Sequence, residues 1–220
     1  MLVLHDDAQA RLPGLWAAAV IVRKEGWSEE GLPGAQAVVD PAWHLDTLKD
    51  DPIAAGYRKL SWALGIDPTK NRPSGEALAR RILAGKPLPK IHPLVDAYNL
   101  ASAQTLVPLS AYDLDHIEPP LTVRPATEVE PFHGIGRDPE RLDAGRIVYA
   151  DAAGHVAGVA LWRDALATRV REETQRALLL AIGADPVPPE AGDRALDAAL
   201  AMARRVGFTS EGDSMRVPVT

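Results

Sequence analysis

The sequence predicts a mixed α/β domain of the segregated, α+β type, a mixed sheet with helices packed against it, and three observations carry that prediction. Leu15–Arg23 is a short continuous apolar run of the kind a buried strand leaves. Three segments with helical spacing fall between Trp43 and Ala101, in the first half of the chain. The second half reads as strands, with a hairpin of Arg146–Ala150 and Val156–Trp162 around Asp151-Ala-Ala-Gly154. Helices early and hairpins late separate the two kinds of element instead of alternating them.

Taken in order, Trp43–Leu64 has helical spacing interrupted at Asp51-Pro52. Leu45 and Leu48 lie before the break, Ile53, Tyr57, Leu60 and Leu64 after it, and Gly65 is the stop. Pro73-Ser74 opens a second helix, with Leu78, Ile82 and Leu83 inward, Arg80 and Arg81 outward, and Gly85 closing it. A third begins at Pro93 and buries Leu94, Val95, Tyr98 and Ala101, leaving Asp96 and Asn99 together on another face. Leu121–Arg124 reads as a strand. Thr174–Ile182 is open to either a strand or a helix. Asp193–Val206 is amphipathic, with Leu196, Leu200 and Ala203 inward. Residues 1–207 are expected as one domain, and the polar stretch 208–220 as a mobile tail.

Apolar residues make up 46% of the chain, enough for a real core, and no apolar run approaches the roughly 20 residues of a membrane helix. The acidic N-terminus has no signal-peptide character, so the expectation is a cytoplasmic protein. Cysteine is absent, which excludes disulfides, thiolate metal sites and a Cys nucleophile. A net charge of −6 argues against coating nucleic acid with the whole surface. Yet Arg58, Lys59, Lys70, Arg72, Arg80, Arg81, Lys86 and Lys90 face only Asp67 and Glu76 in the same stretch. Such a local patch can hold a phosphate backbone, or be a solvated helix face.

Val95-Asp-Ala-Tyr-Asn99, then Pro108-Leu-Ser-Ala-Tyr-Asp113, then Val123-Arg124, resembles the B3/B4 editing region of phenylalanyl-tRNA synthetase β chains. Glu128 and Glu130 match a run of acids downstream, Ala157-Gly158-Val159 is similar to the family's Ala-Gly-Ile, and Thr168-Arg-Val170 with Glu173-Thr174 to its Ser-x-Val…Thr stretch. Arg72-Pro-Ser74 and Arg80–Pro87 resemble stand-alone members. The likeness spans about Arg72 to Leu180. It implies a B3/B4-like fold and hydrolysis of the ester between a wrong amino acid and its tRNA. Two departures stand out. Ser110 occupies the position of the family's histidine, and Ala160-Leu-Trp-Arg-Asp164 replaces its Gly-Gly-acid sequence. Those positions line the family's pocket, so its substrate does not carry over.

Under that resemblance Asn99 is the residue that orients the substrate's amino group or carbonyl, and Ser110 positions water; no adjacent histidine is evident to make it a nucleophile. The expected pocket comprises His92, Asp96, Asp113, His133, Gly158, Trp162, Asp164 and Thr168, with Asp96 and Asp113 also suited to capping or to pairing Arg124. Arg72, Arg80, Arg81, Lys86 and Lys90 are the expected tRNA contacts. Asp113-Leu-Asp115-His116 puts Leu114 opposite both acids, so no metal is expected, and no cofactor is implied. Gly134-Ile-Gly136 lacks the third glycine of a dinucleotide loop. Of Trp16, Trp27, Trp43, Trp62 and Trp162 most are expected in the core, with Trp162 suited to a pocket wall. The expected partner is misacylated tRNA, with no DNA and no membrane. A non-catalytic RNA- or ligand-binding module on the same fold, and a hydrolase of small amino-acyl compounds, are the alternatives.

Overall fold

The computed structural model describes residues 2–26, 30–127 and 129–218. Strand β1 (Leu2–Leu4) and helix α1 (Asp6–Arg11) open the chain, neither legible from so few residues. β2 (Trp16–Lys24) is the expected apolar strand, buried over most of its length. Helix α2 starts only at Pro52 (Pro52–Ala63), which corrects the expectation of helix on both sides of Asp51-Pro52. The residue before a proline is pushed to extended backbone. Asp51 accordingly sits at φ −57°, ψ 135°, and its carboxylate caps the helix, accepting from the Ile53 amide at 2.9 Å. Between Trp43 and Asp51 the helical spacing yields the 3₁₀ turn Leu48–Asp50.

Helices α3 (Ser74–Leu83) and α4 (Pro93–Thr105) follow, both proline-led as the sequence indicates. Then come strands β3 (Leu109–Asp113), β4 (Leu121–Pro125), β5 (Glu130–Phe132), β6 (Glu140–Leu142), β7 (Ile147–Ala150), β8 (Val156–Val159) and β9 (Arg163–Asp164). The ambiguous Thr174–Ile182 stretch is a strand, β10 (Arg176–Gly183), and helix α5 spans Pro189–Arg204. Two short strands, β11 (Phe208–Ser210) and β12 (Met215–Val217), stand where the sequence suggested a mobile tail. Both pair with the outer edge of β2, and Phe208 is buried, so backbone pairing and one aromatic anchor a stretch whose side chains are mostly polar.

One sheet runs β11-β2-β10-β3, with β12 beside β11 on β2; a second runs β1-β4-β7-β8-β9, and β5 and β6 form a two-stranded third. The β1–β4 pair is parallel and the remaining described pairs are antiparallel, so the fold is mixed α+β. The main apolar core gathers residues of both sheets with α5. A second cluster joins α3 to α4 through Ala79, Ile82, Leu100 and Leu106. Trp16 is the pivot of the first. Its ring lies where a Cβ on Gly183 or Gly192 would approach within 2.3 Å, and its indole donates to the Val187 carbonyl at 2.8 Å. Trp43 is partly buried and Trp27 lies outside the described residues. Trp62 is 58% exposed on α2, outside the core expected to hold most of the tryptophans.

Candidate active site

A cleft of ≈230 Å³ opens where α4, β3 and the turn between β8 and β9 meet. Tyr98 and Asn99 enter from α4, Ser110 from β3, Tyr149 from β7, and Leu161 to Asp164 from the turn, with exposed Arg72 at its edge. Alternation along β3 puts Ser110 and Tyr112 on one face. The Tyr112 hydroxyl donates to Asp164 Oδ1 at 2.6 Å, and Ser110 lies beside the pair, lowering the pKa of each. Tyr112 also packs edge-on to Tyr149, ring centroids 6.2 Å apart.

Burial lifts the Asp164 carboxyl to about 6, opposed by hydrogen bonds from Tyr112 and Ser110 and by the charge of Arg163. The same burial, with the negative charge of Asp164 next, raises the hydroxyls of Tyr98, Tyr112 and Tyr149 far above the usual phenol range, so all three stay protonated donors. Gly158 underlies this group. A Cβ there would stand 2.7 Å from the Tyr112 hydroxyl and 2.9 Å from Asp164 Oδ1, closer than side-chain carbons approach such atoms. Leu161 turns the chain with φ +53°, a left-handed conformation that costs a non-glycine residue about 1–2 kcal/mol. Trp162 leans on Phe132 at 6.0 Å, and the Arg146 guanidinium sits 4.9 Å over its ring.

The residues expected in the pocket divide among several places. Asn99, Ser110, Trp162, Asp164 and Arg72 line the cleft, with Gly158 beneath Tyr112 and Asp164. His92 and Asp96 instead line a larger groove of ≈880 Å³, together with Lys90; Asn99 borders both spaces. His92 caps α4, its Nδ1 accepting from the Leu94 amide at 3.2 Å, and burial holds its pKa below the usual histidine value. Asp96 accepts from the Ile91 amide at 2.9 Å, tying down the approach to the same helix.

Asp113 lies outside the cleft. It accepts from the Asp115 amide and from the Thr174 hydroxyl at 2.7 Å, with Arg171 at 3.8 Å, whereas Arg124 pairs with Glu130 at 2.7 Å. Thr168 is likewise a buried strut, its hydroxyl reaching the Ala157 carbonyl at 3.3 Å. His133 is exposed and lines neither space. Glu128 lies outside the described residues.

The basic patch is less free than its count implies. Glu76 is completely buried and takes Arg58 at 2.9 Å and Arg80 at 3.8 Å, and Arg80 also donates to the Leu45 carbonyl at 2.6 Å. Arg81 keeps its charge but bends back to the Pro87 carbonyl at 2.6 Å. Arg72, Lys86 and Lys90 are exposed and have no ion-pair partner among the described residues. No group of three His, Asp or Glu side chains gathers as for a metal among the described residues, and no helix is long and apolar enough to cross a membrane.

Sequence reasoning missed Tyr98, Tyr112, Tyr149 and Arg163. A signal existed for Tyr112, which stands two residues from Ser110 in the segment that resembles the β-chain pattern, and for Tyr98, the neighbour of Asn99. Nothing local marks Tyr149, which arrives from a separate hairpin.

Comparison with known proteins bears on this arrangement. The B3/4 domain profile matches residues 56–207. The phenylalanine–tRNA ligase beta subunit of Tropheryma whipplei (strain Twist) is 32% identical over 171 residues, covering 73% of this chain. The chain spans 17% of that protein's length. A crystal structure of an N-terminal fragment of the phenylalanyl-tRNA synthetase beta-subunit from Pyrococcus horikoshii aligns with a TM-score of 0.51 and 14% identity, over 99% of this chain and 54% of the fragment. That likeness speaks for the fold. The sequence match over well more than half of its length places the chain in the B3/4 domain family.

Proposed function

We propose that this chain is a trans-acting aminoacyl-tRNA deacylase of the cytoplasm, removing a noncognate or non-protein amino acid from misacylated tRNA. The observation that supports it most is the convergence of Asn99 and Ser110, from successive elements, with the sequence-distant Asp164 on one cleft edged by the exposed Arg72. In the reaction a water oxygen attacks the ester carbonyl, the bond to the ribose oxygen breaks, and that oxygen leaves with a proton. An aminoacyl ester is already activated, so placing water and stabilising the tetrahedral oxyanion suffices. One well-aimed donor contributes about 3 kcal/mol to that. The Asn99 amide can donate to the developing oxyanion, and Ser110, anchored by Asp164 and Tyr112, can hold the water.

One observation favours a non-catalytic binding module on the same fold: no histidine lines the cleft among the described residues. A deacylation assay over a panel of mischarged tRNAs decides between them. Faster hydrolysis of at least one member, retained in chelator, is the expected result. Spontaneous rates throughout, with tRNA bound, would establish the binding module.

A further inference from the structure

Asp164 is the carboxylate of the cleft, and it has no ion-pair partner among the described residues. Its carboxylate accepts from Tyr112, yet a carboxylate offers about four acceptor positions, and no Lys, Arg or His is within ion-pairing distance of it among the described residues. The adjacent Arg163 turns away, donating to the Ile135 carbonyl. The groups facing Asp164 are otherwise tyrosines: Tyr98 from α4, Tyr112 from β3 and Tyr149 from β7. Neutral donors steady a carboxylate without cancelling its charge, and a charge drawn from water is normally paired with an opposite one.

We infer that Asp164 is a specificity residue that receives an ammonium group, the free α-amine of the aminoacyl ester, so that the site accepts aminoacyl and excludes N-blocked (N-acetylated or peptidyl) esters. The inference rests on the reading of the cleft as an aminoacyl-ester site, and it goes further by naming which end of the substrate is recognised. An α-ammonium is common to all aminoacyl esters. Recognition through it leaves the side chain to be selected by the walls, where Leu161 and Trp162 line the cleft. An N-acyl group would bring a neutral amide and an added carbonyl oxygen against the carboxylate, losing the charge-assisted bond.

The test uses amide-linked 3′-aminoacylamino-3′-deoxyadenosines of alanine, threonine and tyrosine, each as the free amine and as the N-acetyl form, with binding to the full chain measured by calorimetry. Wild-type protein is expected to bind the free amine of at least one pair roughly tenfold more tightly than its N-acetyl form, the scale of one charge-assisted hydrogen bond. In Asp164→Asn, which keeps an acceptor for Tyr112, that preference should shrink to about twofold or less. Equal binding of the two forms by wild type overturns the inference without any variant. So does a preference that survives Asp164→Asn, or failure of every analogue to bind. The same pairs on tRNA separate the two claims. Hydrolysis of free and N-blocked esters alike would leave the deacylase and remove the ammonium site. An amine preference in binding with no hydrolysis would leave the ammonium site and remove the deacylase.

Discussion

At the scale of single residues the cleft sets a carboxylate and three buried phenols against one amide and one hydroxyl. Asn99→Ala should lower turnover on a misacylated tRNA by roughly 10²-fold, the worth of one catalytic donor, while tRNA affinity holds. Ser110→Ala separates positioning of water from shaping of the pocket. A uniform fall across substrates indicates the former, and a change in which amino acid is removed indicates the latter; single-turnover rates on several mischarged tRNAs read both. Asp164 makes a prediction independent of any substrate. Its carboxyl is lifted to about 6 in the folded chain, above its unfolded value, so the protein is helped by the protonated form. That help is complete below the unfolded pKa and is lost as pH rises through about 6. Asp164→Asn should therefore be more stable than wild type at pH 7 to 8, by on the order of 2 kcal/mol, with the difference vanishing near pH 4. Denaturant melts at the two pH values check it. A wild type equally stable relative to the variant at both would mean that the carboxylate is not strained by burial.

At the scale of elements, α4 and the β7–β8 hairpin do most of the positioning. Helix α4 is fixed at its start by His92 and Asp96, both spent on backbone amides, and it carries Asn99 to the boundary between cleft and groove. The helix start was legible because Pro93 is a local signal. The role of His92 as cap was not, since an imidazole that accepts from an amide looks like any other histidine in sequence. Strand β8 passes so close under the Tyr112–Asp164 pair that a side chain at 158 has no room. Gly158→Ala should cost about 1–3 kcal/mol, the usual penalty of overpacking, and it should depress deacylation by parting Tyr112 from Asp164. A variant with unchanged stability and rate would show that the pair tolerates displacement. The helix preceding Pro52 was misread because leucine spacing suits a helix, while the restriction that proline places on Asp51 ends it.

Across the whole molecule, charge is what tertiary structure redistributes most. Arg58 and Arg80 belong by sequence to a basic patch, and by structure to the buried carboxylate of Glu76. Arg80→Glu would set a second acid beside Glu76, so its main effect should be a loss of stability of about 3 kcal/mol, typical of a broken buried pair. Arg72→Glu, at the cleft edge and without an ion-pair partner among the described residues, should leave melting unchanged but weaken tRNA binding. The slope of log affinity against log salt should then fall by about one for that lost phosphate contact. Filter binding at several salt concentrations, beside thermal melts, distinguishes the two variants. An Arg72→Glu protein with wild-type affinity and slope would place the tRNA path elsewhere.

By itself the sequence determined the segregated α+β class, the core strand β2, the helices α3, α4 and α5, and the resemblance that pointed to Asn99, Ser110 and Gly158. These are statements about periodicity, capping and local motif, which depend on residues a few positions apart. Only the tertiary structure decided that Asp164 meets Tyr112, that Asp113 serves Thr174 instead of the cleft, that Glu76 captures two arginines, and that residues 208–217 close the edge of β2. Each is a pairing between segments that a single sequence has no means of setting against one another. A buried carboxylate and a solvated one are the same letter until the fold has chosen which neighbours replace its water.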